Sequence, residues 1–167
     1  VIGHVPEKAI SLVSTASTSS LGHMCRLISP NTQHFFVPEQ GLYKEEAWTA
    51  LRECNTPIFF PGTSFAFAEL IEGESTPCSL PHGSIMMITG GFKGYTQKIE
   101  AQELHQRLRT LFPNIRIVAE YGMTELSTQL WSPDNDNRYI PPQWMKVIAV
   151  DPSTGKETNN IGQLRFY

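Results

Sequence analysis

Short apolar runs alternate with amphipathic segments along the chain, and this alternation is typical of a layered α/β fold. Six runs predict strands, at residues 9–13, 56–60, 84–89, 115–120, 146–150 and 163–167. Four segments between them predict helices, at residues 20–28, 44–54, 64–72 and 97–112. Because helices that connect strands make those strands parallel, we expect a mostly parallel sheet flanked by helices.

The last of these segments carries the clearest helical pattern. Leu104, Leu108 and Leu111 recur at helical spacing, with charged residues between them. Pro113 ends the helix, and "NIRIVAEYG" resumes as a strand. Ligands of such sheets bind beyond the carboxyl ends of the strands, so the loops that follow strands are the places to search for chemistry.

The pattern changes after Trp131, where "SPDNDNRYIPPQW" is polar and rich in proline, as surface loops are. Two further strands follow, joined by a turn-rich loop that contains "STGK". We therefore divide the chain into an α/β portion, residues 1–131, and a proline-rich loop with the start of a β subdomain, residues 132–167. The chain begins without Met and ends inside a predicted strand, so we expect a fragment of a longer enzyme.

Composition excludes several classes of function. The 167 residues are 40% hydrophobic and 17% charged, as in ordinary globular domains. A net charge of -3 without any basic block argues against nucleic acid as a partner. The apolar runs are far shorter than the roughly 20 residues of a membrane span, and with no signal peptide we expect a cytoplasmic protein. The cysteines, Cys25, Cys54 and Cys78, are odd in number and widely spaced, which argues against a disulfide framework or a zinc site.

The stretch "STASTSSLGH", residues 14–23, imitates a phosphate-binding loop, because it is rich in hydroxyls and follows a strand. A phosphate loop needs glycines that expose backbone N–H groups and a lysine that reaches the outer phosphates. "STASTSS" contains neither. We interpret it as a strand-to-helix turn, with Ser19 or Ser20 as the N-cap of the helix.

Two later loops are better candidates for ligand binding. "ITGGFKG", residues 88–94, follows a predicted strand, and its glycines would let a flat ring approach the backbone. "EYGMTELSTQLW", residues 120–131, follows the next strand, and Tyr121, Gly122, Thr124 and Glu125 would suit a magnesium nucleotide. The structural alternatives are a simple glycine turn in the first loop, and in the second a core tyrosine with Glu125 opening a helix.

Three other patterns are weaker. "PGTSFA", residues 61–66, resembles a serine-hydrolase nucleophile elbow around Ser64, but Ala66 replaces its second glycine. "STGK", residues 153–156, lacks the first glycine of a Walker loop and predicts a turn. No two of the five histidines have the spacing of metal ligands.

The order of these motifs resembles the adenylate-forming superfamily, which comprises acyl-CoA synthetases, luciferases and peptide-synthetase adenylation domains. "YGMTE" is similar to the Y-G-x-T-E signature of that superfamily, and "TGGFKG" stands where it has a glycine-rich adenine loop. "TPIFFPGTSFAFAELIE" is similar to the segment that lines its acyl pocket, and "AISLVSTASTSSLGHM" to the strand and loop at the pocket mouth. With "LPHGSIMMITGGFKG", the chain looks most like LuxE-type acyl-protein synthetases, with phenylacetate-CoA ligases as the alternative.

The resemblance implies a piece of the large N-terminal α/β domain of such an enzyme, with ATP and Mg²⁺ as cofactors. Glu125 would hold Mg²⁺, Thr124 would contact the α-phosphate as the second catalytic residue, and Tyr121 and Gly122 would pack on the adenosine. The adenine would be flanked by Gly90, Gly91 and Phe92, with Lys93 as a weaker candidate.

The resemblance also implies the substrates and partners. A carboxylic acid, expected to be a fatty acid, would become an acyl-adenylate, and the acyl group would pass to a thiol of a protein cysteine or of CoA. A multi-subunit complex fits this branch. The superfamily's phosphate loop would precede Val1, and its ribose-binding aspartate would follow Tyr167, so the activity is expected of the longer protein. A binding module that kept the fold and lost catalysis is the competing interpretation.

Overall fold

The computed structural model describes residues 5–17, 19–29, 31–90, 99–123, 126–133 and 138–167. The helices are α1 (Ser20–Ile28), α2 (Lys44–Arg52), α3 (Ser64–Ile71) and α4 (Ala101–Leu111). The strands are β1 (Lys8–Ser11), β2 (Asn31–His34), β3 (Phe36–Val37), β4 (Gly41–Leu42), β5 (Ile58–Thr63), β6 (Ile85–Thr89), β7 (Arg116–Tyr121), β8 (Leu130–Ser132), β9 (Val147–Val150) and β10 (Gln163–Phe166).

The central sheet has the strand order β2-β1-β5-β6-β7-β8. The first five of these strands are parallel, and β8 joins the edge antiparallel to β7. Two small antiparallel pairs, β3 with β4 and β9 with β10, stand apart from it. The predicted α/β fold with a mostly parallel sheet is therefore confirmed.

Side chains of the central strands alternate between two hydrophobic clusters, as the two-residue period of a strand requires. Ile58 and Phe60 face a large cluster that includes side chains of α2, α3 and α4. Phe59 faces a smaller cluster that contains Cys25 of α1. Helices thus cover both faces of the sheet, and α1 is the helix of the smaller cluster.

The large cluster is organised around aromatic rings. The rings of Trp48 and Phe112 stack with centroids 5.4 Å apart and planes inclined by 7°. Phe60 meets Phe67 and Phe112 edge-on, at centroid distances of 5.1 and 5.8 Å. Such edge-to-face contacts suit the charge distribution of aromatic rings. The apolar runs "FFPGTSFAFAEL" and "SIMMI" thus build the core: the side chains of Phe59, Phe60, Phe67 and Met86 are fully buried in it.

The structure corrects several predicted bounds. Strand β5 begins two residues after the predicted start and continues through Pro61 to Thr63, whereas the prediction ended it at residue 60. Proline lacks an N–H, but the Pro61 carbonyl still accepts a 2.9 Å hydrogen bond from the Leu12 N–H, so the ladder continues. Helix α1 has the predicted bounds. Helix α2 ends two residues before its predicted end, and α3 ends one residue before. Helix α4 begins at Ala101, and the predicted residues 97–98 lie outside the described ranges.

The described residues after 131 form no helix, and their regular elements are short strands. Trp131 and Ile140 exchange backbone hydrogen bonds of 3.1 and 2.8 Å beside β8, and β9 and β10 form a ribbon. In "STGK" the chain turns, because the Asp151 Oδ1 accepts hydrogen bonds from the backbone N–H groups of Ser153 and Thr154, at 2.7 and 3.1 Å. The division of the chain at residue 131 stays a prediction. Among the described residues, no helix combines the length and apolarity that crossing a membrane requires.

Candidate functional site

Three neighbouring parallel strands, β5, β6 and β7, end at the same edge of the sheet, because their carboxyl ends point the same way. Thr63 at the end of β5 is the register partner of Thr89 at the end of β6. Thr89 in turn is the register partner of Glu120 in β7. Three polar residues therefore stand side by side where the strands end and the candidate loops begin.

A cavity of about 360 Å³ opens at this edge. Leu21 and Met24 of α1 form part of one wall. The segment after β7 forms another, through Gly122, Met123, Leu126, Thr128 and Gln129. Thr89 and Glu120 contribute the polar groups of the sheet itself. The cavity is therefore mixed in character, with apolar side chains from α1 beside a carboxyl group from the sheet.

Glu120 is the acidic group among the described residues that line the cavity. The Thr89 hydroxyl donates a hydrogen bond to its Oε2. Burial raises the pKa of the Glu120 carboxyl above its ordinary value, and the hydrogen bond from Thr89 opposes that rise. The neighbouring phenol of Tyr139 also has a raised pKa, through its own burial and through the negative charge of Glu120.

Cys25 lies on the α1 side of the same region and is fully buried. Burial, aided by the charge of Glu120, raises the pKa of its thiol to about 12. A thiol with that pKa stays protonated at neutral pH, and only the thiolate is a good nucleophile. Cys25 is therefore a packing residue and is unsuited to accept an acyl group.

The glycine loop starts from a defined backbone position. Gly90 has a φ of +67°, which side-chain-bearing residues rarely adopt, and a Cβ there would meet no atom of the described residues within 4 Å. The Ser64 hydroxyl donates a 2.7 Å hydrogen bond to the Gly90 carbonyl. Ser64 is only 8% exposed, so its hydroxyl serves this contact and is poorly placed to act as a hydrolase nucleophile.

The loop after β7 starts with Tyr121 and Gly122. The Tyr121 ring is 38% exposed and meets the Tyr139 ring edge-on, with centroids 5.9 Å apart. A Cβ on Gly122 would lie 2.5 Å from Oε1 of Glu120, so a larger residue there would displace this carboxyl group. Tyr121 is therefore available to a ligand on one side, while Gly122 leaves room for Glu120.

The structure thus brings three of the predicted site residues, Gly90, Tyr121 and Gly122, to neighbouring strand ends. The other predicted residues lie outside the described ranges, and their roles stay predictions: Gly91, Phe92, Lys93, Thr124 and Glu125. Within the part of the chain that the structure describes, no group of three or more His, Cys, Asp or Glu side chains could hold a metal ion.

The hydroxyl-rich stretch before α1 has the structural role that we predicted. The Ser19 hydroxyl accepts a 3.0 Å hydrogen bond from the Gly22 N–H and caps α1. A Cβ on Gly22 would lie 2.5 Å from the Ser14 carbonyl oxygen, so the turn packs directly on the helix. Ser20 nevertheless lines the cavity, so the stretch borders the candidate site.

Glu120 and Thr89 line the cavity but were not predicted as site residues. A signal was present, because the two predicted strands 84–89 and 115–120 end at these residues. Adjacent parallel strands that end in a hydroxyl and a carboxyl group place the two groups together.

Comparisons with known proteins were made for the sequence and for the fold. No family model matches the sequence. No curated protein matches it either. Solved structures do match the fold, and those described below are adenylate-forming enzymes.

A luciferase-like enzyme from the nonluminescent Zophobas morio mealworm matches with a TM-score of 0.69 and 13% identity, over 99% of this chain and 40% of that one. ATP-bound MatB from Rhodopseudomonas palustris matches with a TM-score of 0.66 and 13% identity, over 96% of this chain and 32% of that one. O-succinylbenzoate CoA synthetase (MenE) from Bacillus subtilis, in complex with ATP and a magnesium ion, matches with a TM-score of 0.65 and 14% identity. That match covers 97% of this chain and 33% of the MenE chain.

These likenesses show the fold, which is that of the N-terminal domain of adenylate-forming enzymes. The chain spans 32 to 40% of the length of these three structures.

Proposed function

We propose that this chain is the central part of an enzyme that uses ATP to activate a carboxylic acid and then passes the acyl group to a thiol. The observation that carries the proposal is that the two candidate nucleotide loops start at adjacent strand ends in this fold. Gly90 and Tyr121–Gly122 leave adjacent strands beside one cavity. MatB is described as bound to ATP, and MenE as bound to ATP and magnesium, which supports the same ligands here.

The residues that the structure describes fit an adenosine. Gly90 offers backbone free of any side chain, with open space where a Cβ would be, so a flat ring could approach closely. The partly exposed ring of Tyr121 offers a stacking surface. We propose that Gly91 and Phe92 complete the adenine contacts, and that Gly122 lies against the adenosine.

The reaction has two steps. A carboxylate oxygen of the acid attacks the α-phosphorus of ATP, the bond from that phosphorus to the bridging oxygen breaks, and pyrophosphate leaves. A thiolate then attacks the acyl carbon, and AMP leaves with the electron pair of the acyl–oxygen bond. We propose that Thr124 binds the α-phosphate and that Glu125 holds Mg²⁺, which offsets the phosphate charge. The chain's main contribution would be positioning and electrostatic stabilisation.

For the acyl group, we propose a fatty acid and an activity like that of acyl-protein synthetases. Leu21, Met24, Met123 and Leu126 line the cavity and would contact an alkyl chain. Five apolar side chains of β5, α3 and β6 are buried in the core and are therefore unavailable to an acyl chain: Phe59, Phe60, Phe67, Met86 and Met87. The support for an alkyl chain therefore rests on α1 and on the segment after β7.

The alternative is an aryl- or acyl-CoA ligase similar to phenylacetate-CoA ligases. MenE is named as a coenzyme A synthetase, which supports CoA as the thiol acceptor in this alternative. CoA and a protein cysteine are the two acceptors to be tested. A module that binds nucleotide or acyl groups without catalysis remains the competitor from another class.

The test is acid-dependent exchange of labelled pyrophosphate into ATP, in the full-length protein, with tetradecanoate and phenylacetate as the acids. E125A should lower exchange by about a hundredfold or more, because removal of a catalytic carboxylate is costly. E103A, which removes an exposed carboxylate from the first turn of α4, is the matched control and should exchange like wild type. Absence of ATP binding in wild type, or exchange indifferent to E125A, would refute the enzymatic proposal.

A further inference from the structure

The two candidate nucleotide loops begin side by side. Gly90 directly follows Thr89, the last residue of β6, and Gly122 directly follows Tyr121, the last residue of β7. Thr89 and Glu120 are register partners on these two strands. The distance between the starts of the two loops therefore depends on the contacts that connect the two strand ends.

Side-chain contacts tie these ends. The Thr89 hydroxyl donates to Oε2 of Glu120, which joins β6 to β7. The Ser64 hydroxyl donates at 2.7 Å to the Gly90 carbonyl, which joins the start of α3 to the glycine loop. Oε1 of Glu120 lies against Gly122, so the same carboxyl group also touches the second loop. We call Ser64, Thr89 and Glu120 the loop brace.

A purely structural reason for the brace is weak. Backbone hydrogen bonds already pair β6 with β7 along five register partners, from Ile85 with Arg116 to Thr89 with Glu120. A half-buried carboxyl group costs folding free energy, and an apolar pair of similar size would pack without that cost. The polar pair is therefore better explained by the geometry that it imposes on the two loops than by stability.

Direct binding of the nucleotide is also a poor explanation for Glu120. Like charges repel, so a carboxylate beside a polyphosphate opposes binding unless a metal ion lies between them. Within the brace, Oε2 is taken by the Thr89 hydroxyl. Glu120 is thus suited to act through the loops that it contacts.

We propose that the loop brace is a set of positioning residues that holds the glycine loop and the loop after β7 at the separation one nucleotide requires. This inference rests on the proposed function, because the nucleotide is the ligand that both loops would share. Ser64 and Thr89 set the glycine loop, and Glu120 couples it to Gly122. Neither the hydroxyls nor the carboxyl group of the brace takes part in bond making.

The test compares variants that break the brace with variants that conserve it, in the full-length protein. T89V removes the hydroxyl and keeps the shape, while T89S keeps the hydroxyl. E120L removes the acceptor, while E120Q keeps an oxygen that Thr89 can reach. We expect T89V and E120L to raise the Kd for ATP by about tenfold to a hundredfold, the effect of small displacements in a binding site. T89S and E120Q should show much smaller changes.

Thr110 provides a matched control. Its hydroxyl is exposed on α4 and donates to the Gln106 carbonyl at 3.1 Å, so T110V makes the same change of side chain away from the brace. T110V should bind ATP like wild type. S64A should weaken ATP binding, because it removes only the hydrogen bond to the Gly90 carbonyl. A thermal melt of each variant measures the folded fraction, and the ATP affinities are compared for folded protein.

A double-mutant cycle distinguishes the brace from general damage. T89V and E120L remove the same contact, so the double variant should bind ATP about as well as the weaker single variant. Losses that multiply, or single variants with unchanged ATP affinity, would overturn the proposal. If E120L fails to fold, the comparison of T89S with T89V tests the proposal instead. Equal ATP affinity in these two variants would overturn the proposal.

Amide hydrogen exchange separates this proposal from the proposed function. Without any nucleotide, T89V should accelerate exchange at Gly90 and Gly122, whereas T110V should leave both unchanged. A wild-type protein that binds no ATP refutes the nucleotide function, and the exchange rates still decide whether the brace holds the loops. Equal exchange rates in T89V and wild type would refute the brace.

Discussion

At the scale of single residues, the charge of Glu120 sets a pH dependence of stability. Burial raises the folded-state pKa of this carboxyl above its ordinary value of 4.5, so the folded protein holds the proton more tightly than the unfolded chain does. The raised pKa therefore causes no loss of folding free energy at pH values below the ordinary pKa. The cost develops as the pH rises from there through the folded-state pKa, and it is complete above it.

We expect E120Q to be more stable than wild type near neutral pH, because glutamine keeps the shape of the side chain and never ionises. The gain should shrink as the pH falls and vanish at about pH 4, where the wild-type carboxyl is protonated in both states. Urea unfolding at several pH values measures the difference. E103Q, on the exposed side of α4, corrects for the amide itself, and an E120Q gain that is constant with pH would contradict this account.

The sequence identified some site residues and missed others for a physical reason. Tyr121 and Gly122 were identified because "YGMTE" is a local signature that one stretch of chain carries whole. The hydrogen bond between Thr89 and Glu120 joins residues 31 positions apart in sequence. It forms because the register of two adjacent strands places them side by side, which no single stretch of sequence reveals. Ser64 was considered as a nucleophile because its motif is local, whereas its contact with Gly90 spans 26 residues.

At the scale of elements, α1 shows how a polar turn fixes the start of a helix. Ser19 is extended, with φ -81° and ψ 103°, and its hydroxyl accepts the Gly22 N–H that would otherwise lack a partner. Arg26 lies in the last turn, where a positive charge favours the helix dipole. Ser20, Leu21 and Met24 of this helix line the cavity, so the cap also positions one wall of the site.

We expect S19A to destabilise the protein by about 1 kcal/mol, because it removes the N-cap of α1. S19D should retain most of the stability, since aspartate caps a helix well and its charge suits the N-terminus. Urea unfolding of the three proteins measures the effect. Equal losses in S19A and S19D would show that the position, and not the cap, determines the stability.

Other elements were harder to predict. The pattern of β2, "NTQH", lacks hydrophobic residues, and its side chains are exposed or only partly buried, so this edge strand carries no apolar periodicity. Strands β3 and β4 contain two residues each, and β8 three, which is too short for a periodic signal. Long amphipathic segments and fully apolar strands were predictable, because the hydrophobicity of their residues directly indicates which positions are buried.

At the scale of the whole molecule, the end of α3 shows how separate helices depend on one another. The last carbonyl groups of a helix have no partner within it. Here the Trp48 indole of α2 donates at 3.0 Å to the Leu70 carbonyl, and the Arg107 guanidinium of α4 donates at 2.8 Å to the Ile71 carbonyl. The Lys44 ammonium donates to the Glu72 carbonyl that follows. Helices α2 and α4 thus complete the hydrogen bonding of α3, which itself begins at the brace residue Ser64.

Trp48 is the residue where this dependence should be measured. It is 1% exposed, it stacks on Phe112, and its N–H satisfies the Leu70 carbonyl. W48F keeps an aromatic ring but leaves that buried carbonyl unpaired and a void beside it, which together should cost about 2–4 kcal/mol.

Trp144 supplies the matched control, since it is 78% exposed. W144F should change the free energy of unfolding by less than about 0.5 kcal/mol, as surface substitutions usually do. Urea unfolding, followed by circular dichroism so that the loss of an indole does not distort the signal, compares the two variants. Because α3 begins at Ser64 and Ser64 holds the Gly90 carbonyl, W48F should also accelerate amide exchange at Gly90. A loss of stability in W48F without faster exchange at Gly90 would show that the core and the glycine loop are independent of each other.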